Sequence, residues 1–212
     1  MERYRNFGAQ EALASPAQLQ DGVARLSRGA YFREAPLDMT LSILTESAAR
    51  ISGVGRVSIW GLAGDRQELN CLELFELSAD RHGSGECVRA AHCPAYFAAL
   101  GDASCIVADD ALLHPSTAGF ASDYLIRHRI TALLDTPIHI RGELQGVLSL
   151  EQVVTREPWG TAHQLFAHAI ANLVTLALVE DEAAQARRQA QAANEHLREM
   201  PAPARAAALL NA

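Results

Sequence analysis

The 212 residues are 49% hydrophobic and 20% charged, a balance that fits one globular domain with a helical extension and excludes a wholly disordered chain. Acidic residues outnumber basic ones 25 to 18, for a formal charge of −7, and every base is an arginine, so no basic patch for nucleic acid stands out. Uninterrupted apolar stretches such as 173–179 fall well short of the ~20 residues of a bilayer span. Residues 1–7 lack the apolar core of a secretory signal, so a cytoplasmic chain with no membrane partner is expected.

The first predicted element lies in an N-terminal arm, residues 1–35, with helical potential over 16–27 and a role in packing or dimerisation. Leu37, Leu41, Leu44, Ala48 and Ile51 then share one face of an amphipathic helix that Pro36 can start and Gly53 can end. Residues 56–62 and 68–77, rich in β-branched and aromatic types, predict two adjacent antiparallel strands with a turn at Gly64 and Asp65. A second hairpin is predicted over 132–140 and 143–151, with Gly142 supplying the positive φ of a tight turn.

Between the hairpins runs an excursion, 78–129, of a length that often marks a binding element or lid. It holds a short helix over 94–100 stopped by Gly101, a strand over 104–108 and another short helix over 122–129. Last comes a helix from Thr161, where Thr161 and Gln164 have capping-box spacing, running to about Met200. Pro201 and Pro203 end it. Beyond Glu180 its polar composition suits a helix that leaves the domain and pairs with a partner.

This order of elements resembles the GAF family, and the wording strengthens the match: RVSIW (56–60), HGSG (82–85), PAYFAAL (94–100), IVADDA (106–111), Tyr124 with Leu125, ITALLDTPI (130–138) and GELQGVLSL (142–150), then Trp159 and Phe166. The resemblance implies an α+β, PAS-related fold: a central antiparallel sheet flanked by helices, with long N- and C-terminal helices. It divides the chain into an arm (1–35), a GAF domain (36–179) and a signalling helix with a tail (180–212). It further implies a bacterial, non-catalytic sensor that binds a small molecule beneath the excursion, forms a homodimer with a coiled-coil exit helix, and signals to a downstream kinase or cyclase.

Family ligands differ, and the sequence weighs them unequally. A covalent bilin needs a cysteine in or near the 122–129 helix, which has none, and the cyclic-nucleotide N-K-F-D-E signature needs a lysine. The four cysteines, Cys71, Cys87, Cys93 and Cys105, show no C-x-x-C spacing. Cys87, His92 and Cys93 lie close in sequence but form no known haem or metal ligand set, and no metal is expected. The motifs around the cysteines differ from those of the GAF-like methionine sulfoxide reductases. His196, Arg198 and Pro201 fail the phosphoacceptor box of histidine kinases. The cofactor is left unassigned.

The candidate ligand set is Tyr96, Asp109, His114, Thr117, Phe120, Tyr124 and Leu134. Tyr96 and Tyr124 lead it because each can both pack and donate a hydrogen bond. His114 and Thr117 either orient a polar ligand at the pocket rim or sit in a solvated turn. Asp109 and Asp110 are sequence neighbours that point apart, which suits capping better than paired acid-base work. Two rival functions stand beside the sensor: a ligand-free structural dimerisation module, and a redox or haem sensor.

Overall fold

The computed structural model describes residues 13–199; the readings at residues 1–7 and at Pro201 and Pro203 lie outside them. Helix α1 (Pro16–Leu26) opens with the Ser15 backbone N–H donating to Gln18 Oε1 at 2.9 Å, a capping box. After the single turn α2 (Tyr31–Glu34), α3 (Leu37–Ser52) buries Leu41, Leu44 and Ala48 and ends on Gly53 at φ 76°. Gly22 of α1 lets the helices close up, since a Cβ there would stand 2.5 Å from Ile51.

The strands are β1 (Arg56–Leu62), β2 (Glu68–Glu76), β3 (Arg81–Gly83), β4 (Cys87–Arg89), β5 (Ile106–Ala108), β6 (Ile130–Ile140) and β7 (Glu143–Val153). They form one antiparallel sheet in the order β3-β2-β1-β7-β6-β5, with β4 also on β2. The first and last strands of the two hairpins thus meet at the centre, β1 on β7, with Val57 opposite Leu150 and Trp60 opposite Val147. Gly146 makes that approach feasible: a Cβ there would lie 2.0 Å from the Trp60 carbonyl oxygen. The β6–β7 turn holds Arg141 at φ 55° and Gly142 at φ 82°, which is the tight hairpin read from Gly142.

Strand alternation separates two cores. Val57, Ile59, Leu134, Ile138, Leu148 and Leu150 face α1, α3 and α6 (Thr161–Glu199), where Phe166, Ile170 and Val174 complete the packing. Trp60, Leu69, Leu133 and Val147 face the other way, under α4 (Pro94–Asp102) and the end of the excursion.

Four local expectations are redrawn. Gly101 does not stop α4, which runs through it to Asp102. The strand at 104–108 shortens to the three residues of β5. Residues 122–129 form a wide π turn, Ala121–Leu125, then one turn, α5 (Ile126–His128), ending on Arg129 at φ 59°. At α6, Gly160 occupies the capping position: its carbonyl accepts from the amides of His163 and Gln164, and its own N–H donates to His163 Nδ1 at 3.1 Å. Thr161 is already inside the helix, so no Thr161–Gln164 capping box forms.

Helix α6 also departs from the expectation drawn from uninterrupted apolar stretches, because by length and composition it is long and apolar enough to cross a membrane. Part of that apolar character is accounted for within the fold, by the side chains buried against α3 and the sheet.

Candidate functional site

The face of the sheet turned away from α6 carries polar side chains in its interior. Arg56 and Ser58 on β1, Asp135 on β6, and Ser149 and Glu151 on β7 are all buried. They share a face because each lies an even number of residues from an inward apolar neighbour: Arg56 and Ser58 with Trp60, Asp135 with Leu133, and Ser149 and Glu151 with Val147. Buried polar groups must find partners or incur a desolvation cost; Ser58 accepts from the Trp60 indole N–H at 2.8 Å, and the others form two neighbouring networks.

In the first, Arg56 Nε donates to Glu151 Oε2 at 2.9 Å and Arg56 Nη1 to Glu76 Oε1 at 2.5 Å. Tyr124 adds its hydroxyl to Glu151 Oε1 at 2.8 Å, and Arg81 reaches the far oxygen of Glu76 at 2.6 Å. Burial raises the Glu151 carboxyl, while Arg56 and the Tyr124 hydroxyl oppose that rise. Burial is the strongest single influence on Arg56 and works against its charge, but Glu151 and Tyr124 together outweigh it and the guanidinium stays protonated.

In the second, Asp135 Oδ2 accepts from the Tyr96 hydroxyl at 2.5 Å and Oδ1 from the Ser149 hydroxyl. Both donors are neutral. Burial pushes the Asp135 carboxyl up to about 7, Ser149 and Tyr96 pull it back, and the nearby Glu151 charge adds to the rise. Tyr96 and Tyr124 are themselves raised well above the usual phenol range by burial and by the carboxylates they serve.

A cavity of about 20 Å³ sits where the networks meet, lined by Trp60, Tyr96, Phe120, Tyr124, Asp135 and Glu151 among others. It has room for a water-sized occupant and little more. Around it the rings follow one another edge to face: Trp60 to Tyr124 at 5.8 Å and 74°, Tyr124 to Phe120 at 6.1 Å and 73°, Phe120 to Tyr96 at 5.0 Å and 81°. A more open polar depression of about 210 Å³ lies on the outer side of Arg56, with Glu76, Arg127 and His128 in its wall.

Of the seven candidate residues, Tyr96, Phe120 and Tyr124 line this cavity; the other four do not. Leu134 points to the helix side, one residue out of phase with Leu133 and Asp135. Asp109 is exposed, and its Oδ1 accepts the Trp159 N–H at 2.8 Å, tying the excursion to the lead into α6. Thr117 is buried but donates to the Ala111 carbonyl at 2.5 Å. His114 Nδ1 accepts from the Ser116 N–H at 3.3 Å. Thr117 and His114 brace the loop itself. Sequence reasoning passed over Asp135, Ser149, Glu151 and Trp60; the signal for Asp135 was a carboxylate directly after the apolar run 132–134 in a predicted strand.

The buried cysteines Cys71 and Cys93 offer little thiolate chemistry. Burial pushes the Cys71 thiol up to about 12 and the Cys93 thiol up to about 11, the opposite of what a nucleophile or metal ligand needs. Cys87 and His92 are exposed while Cys93 is buried, and among the described residues no group of three or more His, Cys, Asp or Glu gathers to hold a metal.

Comparison with known proteins identifies the architecture. The family described as the GAF domain matches residues 36–178. No curated protein is similar to the chain in sequence. Among solved structures, the GAF domain of an Acinetobacter phosphoenolpyruvate-protein phosphotransferase superposes with a TM-score of 0.60 at 14% identity, covering 79% of this chain and 96% of that one. Free methionine-R-sulfoxide reductase from Neisseria meningitidis, in complex with its substrate, gives 0.61 at 13%, covering 83% and 97%. The chromophore-binding domain of a bacteriophytochrome from R. palustris gives 0.60 at 17%, covering 79% and 62%.

Proposed function

The chain belongs to the GAF family, and on that premise we propose that it is a non-catalytic sensory module whose ligand enters the cavity between the sheet and the 118–125 turns. The observation that carries this reading is the buried polar constellation at the cavity: two tyrosines, a serine and two carboxylates, concentrated on one sheet face amid aromatic walls. A fold that needed only packing would fill that face with apolar side chains. The relatives named above include one with a bound substrate and one that binds a chromophore, which supports a small molecule as the occupant. A covalently attached chromophore would find no cysteine in the turns over the cavity.

The output in this reading is α6, with residues 36–179 as the sensing domain and 180–212 as the signalling helix and tail. Leu165, Ala169, Asn172, Leu176, Val179 and Ala183 recur at alternating steps of four and three, the spacing of a coiled-coil seam. Leu165 is 65% exposed and Leu176 42% in the single chain. A homodimer closes along this line, and α6 transmits the state of the sheet to a downstream kinase or cyclase in the cytoplasm. One observation favours the rival dimerisation module, namely that the cavity is small and walled by the protein's own rings.

Native mass spectrometry of the purified protein, followed by denaturing extraction, tests both parts. A dimer carrying one small molecule per chain is the expected result. An empty dimer moves the assignment to the dimerisation module, and an empty monomer overturns the relay.

A further inference from the structure

Of the two carboxylates at the cavity, Glu151 has its charge met by Arg56, but Asp135 has no cationic partner among the described residues. Once ionised, a buried carboxylate held by neutral donors alone is short of one positive charge. The cavity it borders is walled by four rings in sequence, each nearly perpendicular to the next. Edge-to-face contact is ordinary aromatic packing, but rings that wall a cavity beside an ionisable carboxylate offer a cation ring electrons as well as a counter-charge.

We propose that the ligand is a small organic ammonium ion of about methylammonium size, its nitrogen donating to Asp135 and its carbon set among Trp60, Tyr96, Phe120 and Tyr124. The proposal rests on the sensory reading and gives it a ligand class. The volume of about 20 Å³ sets the scale at an ammonium head and little else. Charge selection follows, because a neutral molecule of the same size leaves Asp135 unmatched and an anion would oppose both Asp135 and Glu151.

The groups facing Asp135 are the Tyr96 hydroxyl from α4, the Ser149 hydroxyl from β7, and Glu151 from β7 with Arg56 of β1 beside it. Only the ionised carboxylate pairs with a cation, so affinity follows Asp135 ionisation and rises with pH through the region of 7.

The chain has two tryptophans, Trp60 in the box and Trp159 against His163 in the helix-side core, so the indole N–H signals of the 15N-labelled protein report cage and control in one spectrum. Methylammonium chloride is titrated at pH 6 and pH 8 against sodium chloride of equal ionic strength, with methanol as the neutral counterpart. The expected result is a saturable shift of the Trp60 signal by methylammonium, about tenfold tighter at pH 8 than at pH 6 for a group titrating near 7, with Trp159 unmoved and methanol inert. Asp135→Asn abolishes the shift. Phe120→Leu, which opens one wall and touches no charge, weakens it severalfold and keeps the test decisive where the first variant folds poorly.

A methanol response equal to that of methylammonium overturns the cation and leaves the binding cavity standing, as does a methylammonium response that survives Asp135→Asn. Absence of any Trp60 response also overturns the proposal. In that case a neutral or acidic molecule recovered by denaturing extraction preserves the sensory reading, whereas an empty protein removes both.

Discussion

The Tyr96 hydroxyl donates to Oδ2 of Asp135 at 2.5 Å, joining a helix of the long excursion to the middle of β6 inside the protein. Tyr96→Phe keeps the ring and removes the bond. A buried carboxylate losing a donor costs about 1–3 kcal/mol, so urea unfolding should register a loss of that order; an unchanged midpoint would show that the bond contributes nothing to the fold.

Stability should fall as pH rises from about 4 to 7. The Asp135 carboxyl is raised to about 7 in the folded protein, whereas an unfolded aspartate titrates near ~4. Between those values the folded chain holds a proton that the unfolded chain has released, so raising pH favours unfolding, and the effect levels off above 7. Glu151 is raised in the same direction, so Asp135→Asn reduces the slope without abolishing it. Urea midpoints at pH 5 and pH 8 for both proteins decide the matter, and equal slopes would refute the assignment to Asp135.

Removing Arg56 strands Glu151. The guanidinium is nearly inaccessible and serves Glu151 and Glu76 together, and breaking a buried pair from one side costs roughly 3–5 kcal/mol. Arg56→Met should therefore fold poorly near neutral pH, while the double variant Arg56→Met with Glu151→Gln should recover much of the loss. Thermal denaturation of the three proteins measures this, and a double variant no better than the single one would contradict it.

Gly146→Ala forces β1 and β7 apart. The added Cβ would stand 2.0 Å from the Trp60 carbonyl oxygen, a backbone atom that cannot rotate away. Destabilisation beyond about 3 kcal/mol is expected, read as loss of the cooperative unfolding transition or a sharply lowered midpoint. Gly64→Ala, with open space around its Cβ position, is the matched control that should change little.

The proposed homodimer has its own check. Leu165→Glu combined with Leu176→Glu places charges on the exposed seam of α6 without entering the core. Sedimentation should show a dimer for the parent chain and a monomer for the variant, with the unfolding midpoint of the sensing domain retained. A variant that stays dimeric places the interface elsewhere.

Periodicity made the elements legible. Leu41, Leu44 and Ala48 on one helix face, the alternation through Leu134, Ile138, Leu148 and Leu150, and Gly142 at a hairpin turn each act over a few residues. Local spacing was therefore enough to read α3, both hairpins and α6, and the GAF motifs followed from the same segments. Tyr96, Phe120 and Tyr124, read as aromatics of the excursion suited to an apolar lining, do line the cavity. The cavity was decided by tertiary structure. Asp135 and Glu151 are 16 positions apart in sequence, and β1 enters beside β7 only because a 78–129 excursion lets the hairpins close on one another. Whether a carboxylate has a cation beside it depends on that closure: Arg56 met Glu151 across it and left Asp135 with neutral partners, a difference in charge compensation that no spacing along the chain encodes.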